Sequence, residues 1–181
     1  MTGTRRSRKK AGAKKVMRRS GKSAEIRCLL IPTDGETLLL PITTMAEVID
    51  ISQLEAMEDT PPWLLGQIEW ENRQVPVFSF SALINGKDVG ALSSRSKIMV
   101  LKSLSESARV PYLGLLLEGL PRPVVIKEDT LVSTGDEKKS LGVYSRITIE
   151  EEQAIVPDLD RLTHLVTHAT LGALPITQLD A

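Results

Sequence analysis

The apolar residues of this chain fall in short blocks separated by turn residues. Arg27–Ile31 and Thr37–Ile42 flank Pro32-Thr33-Asp34-Gly35, and an Asp-Gly pair between two such blocks predicts a tight hairpin. Met45, Val48 and Ile49 recur at helix-like spacing, over a stretch too short to separate a helical turn from a strand. Thr60-Pro61-Pro62 interrupts the chain, because proline donates no ladder bond and restrains its predecessor. Gly66–Trp70 and Arg73–Phe80, joined across Glu71-Asn72, predict a second hairpin; Ser81–Asn85 fits one helical turn.

Further blocks follow at Lys97–Leu101, Tyr112–Leu117, Pro123–Ile126 and Leu141–Ile149, rich in Val, Ile and Leu. Asp158–His168 is the one extended helical pattern. Leu159, Leu162, Leu165 and Val166 share a face there, with Asp158 placed to cap the start. About nine short strands without alternating long helices predict an all-β fold of small barrels.

Charge changes this picture at one end only. The chain of 181 residues has 23 basic and 23 acidic side chains, yet residues 1–23 hold ten Lys and Arg and no acid. That segment is therefore +10 and the remainder −10. With Val16 and Met17 as its only sizeable apolar side chains, residues 1–23 are expected to form a disordered basic tail. Its open assignments are nucleic acid, anionic lipid, an acidic protein face including its own body, or mere solubility. The folded part is expected over 24–170, with a C-terminal tail over 171–181. No apolar run is long enough to span a bilayer, no signal-peptide pattern opens the chain, and the single cysteine fits a reducing compartment; these predict a cytoplasmic protein that is not transmembrane.

Catalytic groupings are scarce. Ser20-Gly21-Lys22-Ser23 resembles the end of a phosphate-binding loop, but Val16 stands where the first glycine belongs and no apolar strand precedes it. His164 and His168 are four apart on the predicted helix, and two imidazoles without a third ligand make a poor zinc site. Cys28, inside a strand pattern, reads as a buried inert thiol. No catalytic residue, cofactor or metal is expected. Six aromatic residues on an acidic body offer no base-stacking platform, so nucleic acid is not expected as a partner except through the tail.

Four blocks in order carry a family resemblance. They are Gly35-Glu36-Thr37-Leu38-Leu39-Leu40-Pro41-Ile42 running into Ala46-Glu47-Val48-Ile49; Thr60-Pro61-Pro62-Trp63-Leu64-Leu65-Gly66-Gln67-Ile68 leading into Gln74-Val75-Pro76-Val77-Phe78-Ser79-Phe80; Tyr112 to Leu120; and Ile155-Val156-Pro157-Asp158-Leu159-Asp160-Arg161-Leu162. Together, residues 25–168 resemble the CheW-like coupling domain of bacterial chemotaxis. The resemblance implies two five-stranded, SH3-like β-barrels about a shared apolar core, with a C-terminal helix. It implies a non-catalytic adaptor that binds the regulatory domain of a CheA-type histidine kinase and the cytoplasmic tip of a chemoreceptor. The rival reading is a tail-driven nucleic-acid or membrane-surface binding protein on a β-barrel scaffold.

Carried over by motif position, Val48, Gly66 and Glu71 are expected on the first-barrel surface that meets a receptor. The bland alternatives are core packing for Val48 and a positive φ angle for Gly66. Trp63 and Trp70 flank the same segment as candidate anchors, with burial between the barrels the competing expectation. Pro76 is expected at a strand edge or bulge. The chain departs from the family pattern in two places: Glu71-Asn72 stands where the family usually has Arg-Gly, and Ser79 where it has Asp. The inverted charge at Glu71 predicts a divergent coupling protein, of a pilus or surface-motility system.

Overall fold

The computed structural model describes residues 25–104, 109–127, 132–133, 140–149 and 151–173. The expectations for residues 1–23, and for the C-terminal tail beyond Ala173, lie outside the described residues.

Among the described residues, eleven strands form two sheets, with two α-helices and two short 3-10 turns beside them. The strands are β1 (Glu25–Thr33), β2 (Glu36–Pro41), β3 (Met45–Asp50), β4 (Leu64–Trp70), β5 (Arg73–Phe78), β6 (Lys97–Lys102), β7 (Tyr112–Leu117), β8 (Arg122–Lys127), β9 (Val132–Ser133), β10 (Val143–Ile149) and β11 (Glu152–Pro157). Helix α1 spans Phe80–Asn85 and α2 spans Leu159–Ala173, running on past His168. One sheet has the order β8-β1-β2-β11-β10-β9, the last strand being only two residues long; the other has the order β3-β6-β7-β5-β4. The first sheet therefore takes strands from both ends of the chain, and the second is a contiguous insertion between β2 and β8.

Both predicted hairpins form. Thr33 pairs with Glu36 across Asp34-Gly35, and Gly35 takes a φ of +88° that its missing Cβ makes easy. Trp70 pairs with Arg73 across Glu71 (φ +48°) and Asn72 (φ +58°), the doubly left-handed turn that suits the twist of a two-residue hairpin. The segment Met45–Asp50, ambiguous by spacing, is a strand. Its register slips between Met45 and Glu47, which breaks the alternation a strand normally shows.

Why the apolar blocks are continuous rather than alternating is visible in the packing. Leu29 and Ile31 of β1, with Leu38 and Leu40 of β2, point into a core shared between the sheets, where Met99, Leu101, Leu113 and Leu115 meet them. Leu162 and Val166 of α2 close the same core. The intervening Leu30 and Leu39 turn the other way, into a second core with Ile126 and Ile147. Likewise Ile98 and Val100 face a third core with Ile68, Val75 and Val77, inside the second sheet. Strands buried on both faces read as unbroken apolar runs, and each fully buried Leu or Ile contributes about 1.5–3 kcal/mol.

Pro76 sits in an interior strand, since β5 lies between β7 and β4. The missing N–H is harmless there for a local reason. Its cross-strand neighbour Gln67 directs both backbone groups the other way, exchanging two 2.8 Å bonds with Glu55. Pairing of β5 with β7 starts only at Val77.

Candidate partner-binding surface

Four of the five expected contact residues, Val48, Gly66, Trp70 and Glu71, lie on β3, on β4 or on the β4–β5 turn, at clearly different depths. They belong to the inserted second sheet, not to the sheet that holds the start of the chain. Val48 is 42% exposed on the outermost strand β3, so it is not core. Glu71 is exposed at the tip of the β4–β5 hairpin. Gly66 is buried at a register slip in β4, with φ +148°. A Cβ there would stand 2.1 Å from the carbonyl oxygen of Glu55, so this glycine is what lets the Glu55 strand bridge approach.

The two tryptophans divide their roles. Trp63 is half-buried against the core between the sheets, and its carbonyl accepts the Ser79 N–H at 2.9 Å. Trp70 packs on the core of the second sheet and meets the ring of Tyr112 edge-on, centroids 4.9 Å apart. Its indole N–H donates to Oε2 of Glu47 at 2.7 Å.

Ser79, where the family pattern has Asp, is 1% exposed and caps α1, its Oγ accepting the Ala82 N–H at 3.2 Å. An aspartate would cap equally well, so this departure concerns a helix start and leaves the surface charge to Glu71. Ser81 Oγ donates to Oε1 of Glu118 at 2.5 Å, and the Asp34 N–H donates to Oε2 of the same carboxylate at 2.5 Å. Glu118 thus ties the β1–β2 turn to α1 where the chain crosses between sheets.

Beside that crossing runs an open groove of about 530 Å³. Val48 lines it together with Leu92 and Leu120, 40% and 87% exposed. Sequence reasoning passed over Leu92 and Leu120; the signal was an apolar residue held between Gly119 and Pro121, where nothing local could bury it. Arg95, Ser96 and Lys97 add polar side chains to the same lining. An exposed apolar patch with a polar rim is the mark of a protein contact site.

Elsewhere the chemistry is quiet. Burial pushes the Cys28 thiol above its ordinary pKa, away from the reactive thiolate. Among the described residues no three His, Cys, Asp or Glu side chains gather as a metal site, and no helix is long and apolar enough to cross a membrane.

Two sheets about a shared core, presenting an exposed apolar groove, have the build of a protein-interaction module. The sequence profile of the CheW-like domain family matches residues 27–166, and the chain belongs to that family. Its members are scaffold adaptors of chemotaxis signalling without catalytic activity, so this chain is an adaptor and not an enzyme. Among solved structures it is similar to the scaffolding protein TtCheW from Thermoanaerobacter tengcongensis, with a TM-score of 0.62 at 17% identity over 75% of this chain and 90% of that one. At that identity the likeness speaks for the fold. No curated protein matches the chain.

Proposed function

We propose that the chain couples the cytoplasmic tip of a chemoreceptor to the regulatory domain of a CheA-type histidine kinase, inside the cytoplasm. The folded unit, which runs to the end of α2 at Ala173 and not only to 170, carries this contact, and residues 1–23 and 174–181 are appendages to it. The observation that carries the reading is the groove lined by Val48, Leu92 and Leu120, whose apolar side chains lie open at the junction of the sheets. A groove of this kind accepts one face of an amphipathic helix, the shape a helical receptor tip offers. Val48, Trp70 and Glu71 share the β3–β4 side of the second sheet and supply the partner-facing surface. Gly66 and Trp63 hold that surface in shape from beneath.

Glu71 supports a partner set different from that of a swimming-chemotaxis adaptor. A partner built for the family's usual arginine meets an opposite charge here, and a like or unpaired charge at a desolvated contact costs about 1–3 kcal/mol. A pilus or surface-motility chemosensory system is the setting this favours. The test is co-sedimentation of the purified chain with a receptor cytoplasmic fragment and the kinase from its own host. Wild type should enter the pellet with both. Leu120→Asp and Val48→Asp, still folded by circular dichroism, should lose the receptor. Unchanged co-sedimentation of both variants would overturn the groove as the contact site.

A further inference from the structure

The second sheet curls until its outermost strands, β3 and β4, come within side-chain reach, yet no backbone pairing joins them among the described residues. The seam is spanned by the Trp70–Glu47 hydrogen bond and, further along β4, by the Glu55–Gln67 bridge. Between that bridge and Trp70, the outer backbone edge of β4 at Glu69 has no strand partner among the described residues. Glu69 lies two residues beyond Gln67, so its backbone N–H and C=O face the seam as those of Gln67 do. An uncovered strand edge is a template for another extended segment.

Its surroundings state the charge of that segment. Glu55, Glu69 and Glu71, with Gln53 and Asn72, line a hollow of about 550 Å³ at this edge. None of the ion pairs among the described residues engages these three carboxylates. From Cys28 to Asn72 the chain has nine acidic residues and no Lys or Arg, and residues 1–23 have ten Lys and Arg and no acid. The basic segment ends just before β1 begins at Glu25. At about 3.3 Å per extended residue its reach is roughly 75 Å, against a radius of gyration of roughly 15 Å for a domain of this size.

We infer that the free edge of β4 takes the chain's own basic N-terminal segment, which covers Glu69 and Glu71 by charge-paired, extended docking. The contact is exchangeable, because exposed ion pairs are individually weak and are screened by salt. Glu71 also belongs to the partner-facing surface proposed above. The segment therefore acts as an internal competitor that a partner must displace, and the inference rests on that reading only for this regulatory consequence.

The test uses the full ¹⁵N-labelled chain with no partner present, so its failure leaves the adaptor reading standing. Backbone amide signals of Glu69, Glu71 and Asn72, and the Trp70 indole N–H, should move between about 20 and about 500 mM salt. In the full chain carrying Lys9→Gln, Lys10→Gln, Lys14→Gln and Lys15→Gln the movement should be at least about twofold smaller. Glu69→Gln with Glu71→Gln should abolish the difference between the two tails. Equal movement with either tail, or tail-dependent movement centred on another surface, would overturn the proposal. Movement accompanied by concentration-dependent mass in sedimentation would place the segment on a second copy, overturning the intramolecular assignment. Tail-dependent retention on anionic vesicles or duplex DNA without these shifts would assign it to an outside polyanion and overturn the proposal equally.

Discussion

Trp70 and Glu47 close a barrel that the backbone leaves open: the indole N–H donates at 2.7 Å across the one junction of the second sheet where strands share no ladder. The two residues therefore stabilise the curvature of the sheet more than either strand. Trp70→Phe keeps the ring near Tyr112 but removes the donor. A double-mutant cycle with Glu47→Ala should return a coupling of about 0.5–1 kcal/mol in urea unfolding, the scale of an exposed bond to a charged acceptor. Strictly additive losses would mean the seam is held by packing alone.

Gly66 and Gly35 make a matched pair for separating strain from collision. Gly35, at φ +88°, has open space where a Cβ would go, whereas Gly66 has the Glu55 carbonyl 2.1 Å away. Gly35→Ala should cost about 1 kcal/mol, from conformation alone. Gly66→Ala should cost about 3 kcal/mol or more, since the Glu55 bridge must part as well. Similar urea midpoints for the two variants would refute the close approach. Any loss of partner binding by Gly66→Ala is then read as damage to β4.

Much of this was legible in the sequence, for reasons that are themselves local. Asp34-Gly35 and Glu71-Asn72 gave away their hairpins because turn chemistry depends on a few adjacent residues. Leu159, Leu162 and Val166 revealed the buried face of α2 in the same way. The segment Met45–Asp50 did not declare itself, because the slip between Met45 and Glu47 spoils its period. Nor could the pairing of β1 with β8, or of β2 with β11, be read, since no local pattern records a partner far along the chain. The groove was missed for the same reason: Val48, Leu92 and Leu120 meet only in space.

Glu71 offers a test of charge at the contact that leaves the fold intact. Both glutamate and arginine must accept the same left-handed turn at φ +48°, and both stay in water. Glu71→Arg should shift stability by less than about 0.5 kcal/mol. It should weaken binding to the cognate receptor or kinase about tenfold, a change of about 1.4 kcal/mol in binding free energy. Titration calorimetry with equal dissociation constants for the two folded proteins would remove Glu71 from the partner surface.

The buried thiol gives a pH signature with a definite sign. Burial raises the Cys28 pKa above its value in the unfolded chain, about 8.5 for an ordinary thiol. The folded state then holds its proton where the unfolded state has released it. That contribution to stability is fully present below about pH 8.5 and is lost as pH rises above it. Thermal unfolding of wild type should therefore fall off faster above pH 9 than that of Cys28→Ala, a difference on the order of 1 kcal/mol per unit of pKa shift. Parallel curves would show the thiol ionising freely in the fold.

The insertion of β3–β7 between β2 and β8 also fixes an order of events during synthesis. All five strands of the second sheet leave the ribosome before any neighbour of the first hairpin except each other has been made. Until β8 and β11 emerge, Leu30 and Leu39 have no Ile126 or Ile147 to cover them. The growing chain thus carries a sticky, half-finished hairpin through most of translation. It is completed only when β8 and β11 have been made, so a chain cut short after β7 should give an aggregation-prone product rather than a smaller working domain.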